Sequence, residues 1–182
     1  MPWAYNVGSG TPPNYTWYGL NTANQHAAQL TLPTCAITNI TVYAAGHSGA
    51  VLTRLGVWVI NGGVVAQSES FTMGSGSESA GGQAWQTVSI TPRQVSSGDY
   101  WVGLYRNPSG GHIMGTTNSG VGTGYYKTNT SGFPAIQGMD GYSSQNKCPY
   151  IGVFYITTPV DITSASVTRN SDYSQTISRT NH

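Results

Sequence analysis

Apolar side chains in this chain recur at every second position in short runs, and no long segment places them at the i, i+3, i+4, i+7 spacing of an amphipathic helix. Period two belongs to strands, whose successive side chains point to opposite faces. The runs are rich in Val, Ile, Thr, Tyr and Trp and are separated by Gly, Ser, Asn and Pro. They predict strands over Tyr15–Leu20, Ala27–Leu32, Ile37–Ala45, Arg54–Ile60, Gly63–Ser68, Ala84–Ile90, Asp99–Arg106, His112–Thr116, Gly124–Thr128 and Tyr150–Thr157, with a weaker one over Ile162–Arg169. Asn61-Gly62 predicts a hairpin with a type I′ turn, because both central residues of that turn need positive φ. Ser97-Gly98-Asp99 predicts a second turn.

Alternation also sorts the faces. Ile40 and Val42, then Leu55, Val57 and Val59, then Val88 and Ile90, Val102 and Leu104, and Ile151 and Val153 form the expected core. The opposite faces carry Tyr43, Trp58, Trp85, Trp101, Tyr105 and Phe154. Aromatic outer faces need a cover: an arm of the chain, a neighbouring subunit or a ligand. Residues 1–20 read as an extended aromatic arm holding Trp3, Tyr5, Trp17 and Tyr18, expected to make assembly contacts; residues 21–158 form one β-sandwich and 159–182 a polar C-terminal tail. Three Gly- and Ser-rich stretches, 69–83, 107–123 and 129–149, read as long loops, a class that is often functional or flexible.

Charge narrows the function. Only 7% of the 182 residues are charged and the net charge is +1, against roughly 25% charged residues in an ordinary soluble chain. No basic field exists to attract nucleic acid or an anionic membrane. No apolar run is long enough to span a bilayer, and the first residues lack the basic-then-apolar pattern of a secretory signal. Low net charge favours life within an assembly or an oligomer.

Catalytic patterns are weak. Gly46-His47-Ser48-Gly49 fails as a nucleophile elbow, since its serine is misplaced and no helix follows. The six acids, Glu69, Glu78, Asp99, Asp140, Asp161 and Asp172, fall in loops, a turn and the tail, so a glycan hydrolase is poorly supported. His26, His47, His112 and His182 are scattered without metal-ligand spacing, and no cofactor motif is present. Cys35 and Cys148 fit a disulfide or two buried thiols equally well. Three glycosylation sequons, at Asn14, Asn39 and Asn129, are read as chance in so Asn- and Thr-rich a chain. Aromatic rings among polar side chains suit sugars, whose C–H faces stack on flat apolar rings. The candidate glycan-binding set is Trp58, Trp85, Trp101, Tyr105, Tyr125, Tyr126 and Tyr142, with packing as the competing role for each.

Gln29-Leu30-Thr31-Leu32-Pro33, Ile37–Tyr43, Arg54-Leu55-Gly56-Val57-Trp58 with Asn61-Gly62-Gly63, Trp85-Gln86-Thr87-Val88 and Gly98–Tyr105 together resemble a domain of tailed-phage virion proteins. The resemblance covers roughly residues 25–157. It is similar to minor tail and head-decoration proteins of actinobacterial phages and to the jelly-roll sandwich of carbohydrate-binding modules. It implies an all-β antiparallel jelly-roll and a non-catalytic virion surface protein, assembled in the host cytoplasm beside capsid or tail proteins. It also implies a homo-oligomer, trimers being common among such appendages, with host-surface polysaccharide as an outside partner. A free-standing lectin is the alternative. The resemblance carries over no ligand residue, because such domains share a framework and vary their loops.

Overall fold

A computed structural model describes residues 2–6, 16–20, 24–46, 51–73, 84–107, 113–117, 123–145 and 148–157. Among them the chain is all-β, with two antiparallel sheets packed as a sandwich. The strands are β1 (Trp3–Tyr5), β2 (Thr16–Leu20), β3 (Asn24–Leu32), β4 (Cys35–Gly46), β5 (Val51–Val59), β6 (Val64–Gln67), β7 (Phe71–Met73), β8 (Ala84–Val95), β9 (Gly98–Arg106), β10 (Ile113–Thr117), β11 (Gly124–Thr128), β12 (Ser143–Gln145) and β13 (Ile151–Ile156). Sheet I runs β1-β13-β4-β10-β2, with β8 on the other edge of β4. Sheet II runs β12-β11-β3-β9-β5-β6, with β7 also on β5. The weak strand expected over Ile162–Arg169 and the C-terminal tail lie outside the described residues, as does the Gly49 end of the elbow-like motif.

The inner faces hold the aliphatic residues that alternation assigned. Ile40, Val42, Leu55, Val57, Val102 and Leu104 are buried in one cluster, together with Ile151 and Val153. Three assignments need correction. Val59 is 44% exposed, because it stands at the mouth of the β5–β6 hairpin, beyond the sandwiched part of the strand. Val88 and Ile90 are only half-buried, because β8 pairs with β4 alone and forms a sheet edge. The hairpin forms, but its turn is not a two-residue I′. Asn61 is the residue with positive φ, 56°, and the Gly62 N–H donates to the Val59 carbonyl at 3.0 Å, closing a three-residue loop.

The first twenty residues are more than an arm. Its two described pieces are strands of sheet I, both on the side of β4 away from β8: β1 pairs with β13, and β2 pairs with β10. The three long loops also contain short strands, namely β7, β10 and β12. Cys35 and Cys148 are both buried free thiols. Cys35 begins β4, whereas Cys148 precedes Tyr150, whose carbonyl accepts from Tyr43 near the other end of that strand. The eight residue steps from Cys35 to Tyr43 measure roughly 26 Å of strand, far beyond disulfide reach.

Candidate functional site

The aromatic residues of the outer faces divide between the two sheets, and each set meets a different cover. On sheet II, register places Trp58 opposite Trp101, Gly56 opposite Gly103 and Arg54 opposite Tyr105. Across β3 the same rows continue to Gln29, Ala27 and Gln25. The middle row, Ala27–Gly103–Gly56, is a floor without bulk, and large rings flank it. A Cβ at Gly56 would stand 2.7 Å from the Trp58 ring, so that ring lies flat along the strand over the glycine.

Residues 129–142 cross this floor as a lid. The Trp58 Nε1–H donates to the Gln137 carbonyl at 2.7 Å, Arg54 Nη1 donates to Pro134 O at 2.9 Å, and the Met139 N–H donates to Gly62 O at 3.0 Å. Lys127 Nζ donates to Gly138 O at 2.9 Å and to the Asp140 carboxylate at 3.2 Å. The latch is Gln25, fully buried beneath the lid. Its Nε2 donates to Gln137 O at 3.1 Å and to Met139 Sδ at 3.5 Å. Its Oε1 accepts from the Gln137 N–H at 2.8 Å and from Asn129 Nδ2 at 3.0 Å. One side-chain amide thus uses two donors and two acceptors, its full inventory. Asn129, itself buried, also donates to Ala135 O at 2.8 Å and accepts from the Ser131 N–H at 2.9 Å.

Five of the seven candidate glycan residues belong to this closed face. Trp58 is 0% and Trp101 2% exposed, and Tyr105 is fully buried against Phe133. Tyr125 and Tyr142 are half-buried, with ring centroids 3.8 and 5.1 Å from Trp101. Beneath the lid Trp58, Trp101, Tyr125 and Tyr142 pack on one another and on Met139. Tyr126 points to the other side of β11 and stacks on His26 at 6.1 Å. His26 is buried between the sheets, and burial together with the nearby Arg106 guanidinium lowers its pKa to about 3, so the imidazole is neutral.

Sheet I presents the open face. Its outer rows read Trp3–Phe154–Asn39–Ser89, then Tyr5–Gly152–Thr41–Thr87, then Tyr43–Trp85. Tyr5 leans over Gly152, where a Cβ would stand 2.5 Å from its ring. It thereby reaches Trp85, three strands across the sheet. The result is a continuous aromatic chain. Trp3 stacks on Tyr5 at 5.0 Å and 16°, Tyr5 meets Trp85 edge-on at 5.0 Å, and Trp85 meets Tyr43 edge-on at 5.5 Å. Phe154 lies against Trp3. The chain roofs Thr41, which is fully buried and shares a 2.9 Å hydrogen bond with Thr87. Beside it Asn39 Nδ2 donates to Ser89 Oγ at 2.8 Å in the open. Trp3 remains 37% exposed, while Tyr5, Trp85 and Phe154 are half-buried.

The strand β1 is clamped by Asn6. Its Nδ2 donates to Pro149 O at 2.8 Å, and its Oδ1 accepts from the Ile151 N–H at 3.0 Å. Of the four expected assembly residues, Trp3 and Tyr5 belong to this face. Trp17 and Tyr18 lie in β2, their side chains outside the described part. Sequence reasoning set Trp85 apart from Trp3 and Tyr5 by role, and the fold joins all three.

The described carboxylates are dispersed. Asp99 accepts from Thr31 Oγ1 at 2.6 Å, Glu69 faces Arg54 at 3.9 Å, and Asp140 is held below the usual carboxylate range by the Lys127 hydrogen bond; all three are exposed. A cleft of ≈ 280 Å³ between β6 and β8 is lined by Arg54, Arg93, Glu69, Gln67 and Thr91. Among the described residues no group of three His, Cys, Asp or Glu is placed to hold a metal, and no helix is long and apolar enough to cross a membrane. Comparison with family models, curated proteins and solved structures gives no match.

Proposed function

We propose that this protein is a non-catalytic surface subunit of a phage particle, a capsid decoration or a tail appendage, and that it engages its surroundings through the outer face of sheet I. One observation carries the choice of face. The lid closes the aromatic face of sheet II with a saturated buried amide, whereas the aromatic chain of sheet I keeps Trp3, Tyr5, Trp85 and Phe154 partly open. Partly open aromatic rings, held in place by one another, are typical of interface anchors. The virion setting rests on the resemblance carried by residues 25–157, as does the jelly-roll connectivity, and it agrees with the low charge. The non-catalytic reading draws on the spread of Glu69, Asp99 and Asp140 over separate, exposed positions.

The experiment is immunogold labelling of particles purified from an infected culture, comparing the wild-type chain with Trp3→Ala. Regular labelling that Trp3→Ala reduces is the expected result. Particles without label overturn the virion reading, and full labelling by the variant overturns the choice of face. A free-standing lectin is the second reading, favoured by the exposed Asn39–Ser89 pair beside the rings.

A further inference from the structure

We infer that the outer face of sheet I binds a neutral glycan; this rests on the reading of that face as the recognition surface and names its ligand class. Charge comes first. Strands β1, β4 and β13 contain no charged residue, and β8 contains only Arg93, which lines the cleft toward β6. Among the described residues, an anionic polymer, a nucleic acid or an acidic lipid headgroup therefore finds no counter-charge on this face. A purely apolar partner is also poorly matched, because Asn39, Thr87 and Ser89 form a polar border along the rings, and Thr87 and Ser89 are exposed.

The side-chain chemistry that remains is a flat apolar ring surface beside uncharged hydroxyl and amide groups. A sugar ring offers the complement, with an apolar C–H face and a rim of hydroxyls. The hydrogen bonds within the Asn39–Ser89 and Thr41–Thr87 pairs leave lone pairs on Asn39 Oδ1, Ser89 Oγ and Thr87 Oγ1 for a ligand. The rings are already ordered, since Trp85 is wedged between Tyr5 and Tyr43, so binding costs little side-chain entropy. From Trp3 to Ser89 the face crosses β1, β13, β4 and β8, three strand spacings or about 14 Å, room for a short run of sugar rings.

The test is native affinity electrophoresis of the full chain in gels containing a neutral glucan, galactan or mannan, with an acidic polysaccharide alongside. At least one neutral polymer retards the wild type. Trp85→Ala weakens that retardation about tenfold, the loss expected for an aromatic anchor. Ser89→Asp, a change at an exposed position, weakens it severalfold with the melting temperature unchanged, which separates ligand contact from folding. Gln29→Ala, exposed on sheet II, leaves it as it is. No retardation by any neutral polymer, retardation by the acidic polymer alone, or binding indifferent to both Trp85→Ala and Ser89→Asp overturns the inference. A chain that labels particles in a Trp3-dependent way yet binds no neutral polymer refutes the ligand class and leaves the proposed function standing.

Discussion

Replacing Gln25 with leucine removes the latch of the sheet II lid while nearly conserving volume. Two lid groups keep other partners: Asn129 Nδ2 still reaches Ala135 O, and Gln137 O still receives the Trp58 indole. The Gln137 N–H loses its Gln25 acceptor, and one Asn129 contact is gone. A buried donor left without a partner costs about 1–3 kcal/mol, and the second lost bond about 1 more, so the net loss is about 2–4 kcal/mol. For a chain of this size that lowers the melting temperature by about 5–12 °C. Urea unfolding followed by tryptophan fluorescence measures it, and acrylamide quenching of native Trp58 and Trp101 should rise as the lid loosens. Gln25→Glu adds a sign. Burial raises the folded pKa of the introduced carboxyl above its unfolded value, so the native state binds the proton more tightly, and stability falls as pH rises through that range. A Gln25→Leu loss under about 0.5 kcal/mol, or a Gln25→Glu variant that gains stability with rising pH, refutes the view that this amide holds the lid.

Gly152→Val drives its side chain into the Tyr5 ring and the Ala4 carbonyl, so β1 should detach, and proteolysis near Asn6 should accelerate while the sandwich stays folded. His26 has a folded pKa of about 3, below its unfolded value, so the unfolded chain binds the extra proton. Stability should therefore fall as pH drops from about 6.5 toward about 3, by a few kcal/mol, in urea titrations that a His26→Gln variant flattens. Burial pushes the Cys148 thiol up to about 11 and raises Cys35 as well, so a thiol reagent at neutral pH should label neither in the native protein and both after denaturation. A disulfide found between them in the native protein would contradict the register of β4 and β13.

Alternation alone was enough to recover an all-β chain and most of its core. The reason is local: a strand's two faces are set by parity, and Ile40, Val42, Leu55, Val57, Val102 and Leu104 need only one face buried to declare themselves. The same parity put Tyr43, Trp58, Trp85 and Trp101 on outer faces and implied that something covers them. What covers each was settled by contacts between residues distant in the chain, which no local pattern encodes. Gln25 meets Gln137 across 112 positions, and Asn6 meets Ile151 across 145. The Gly- and Ser-rich stretch 129–149 read as an open loop because its composition is that of one. Its polar groups become a lid only where Gln25 can satisfy them, and a buried backbone must be satisfied. The division of the aromatics into a sealed set under that lid and a partly open chain on sheet I thus came from the tertiary structure, because burial is a property of what lies across a face and not of the strand that carries it.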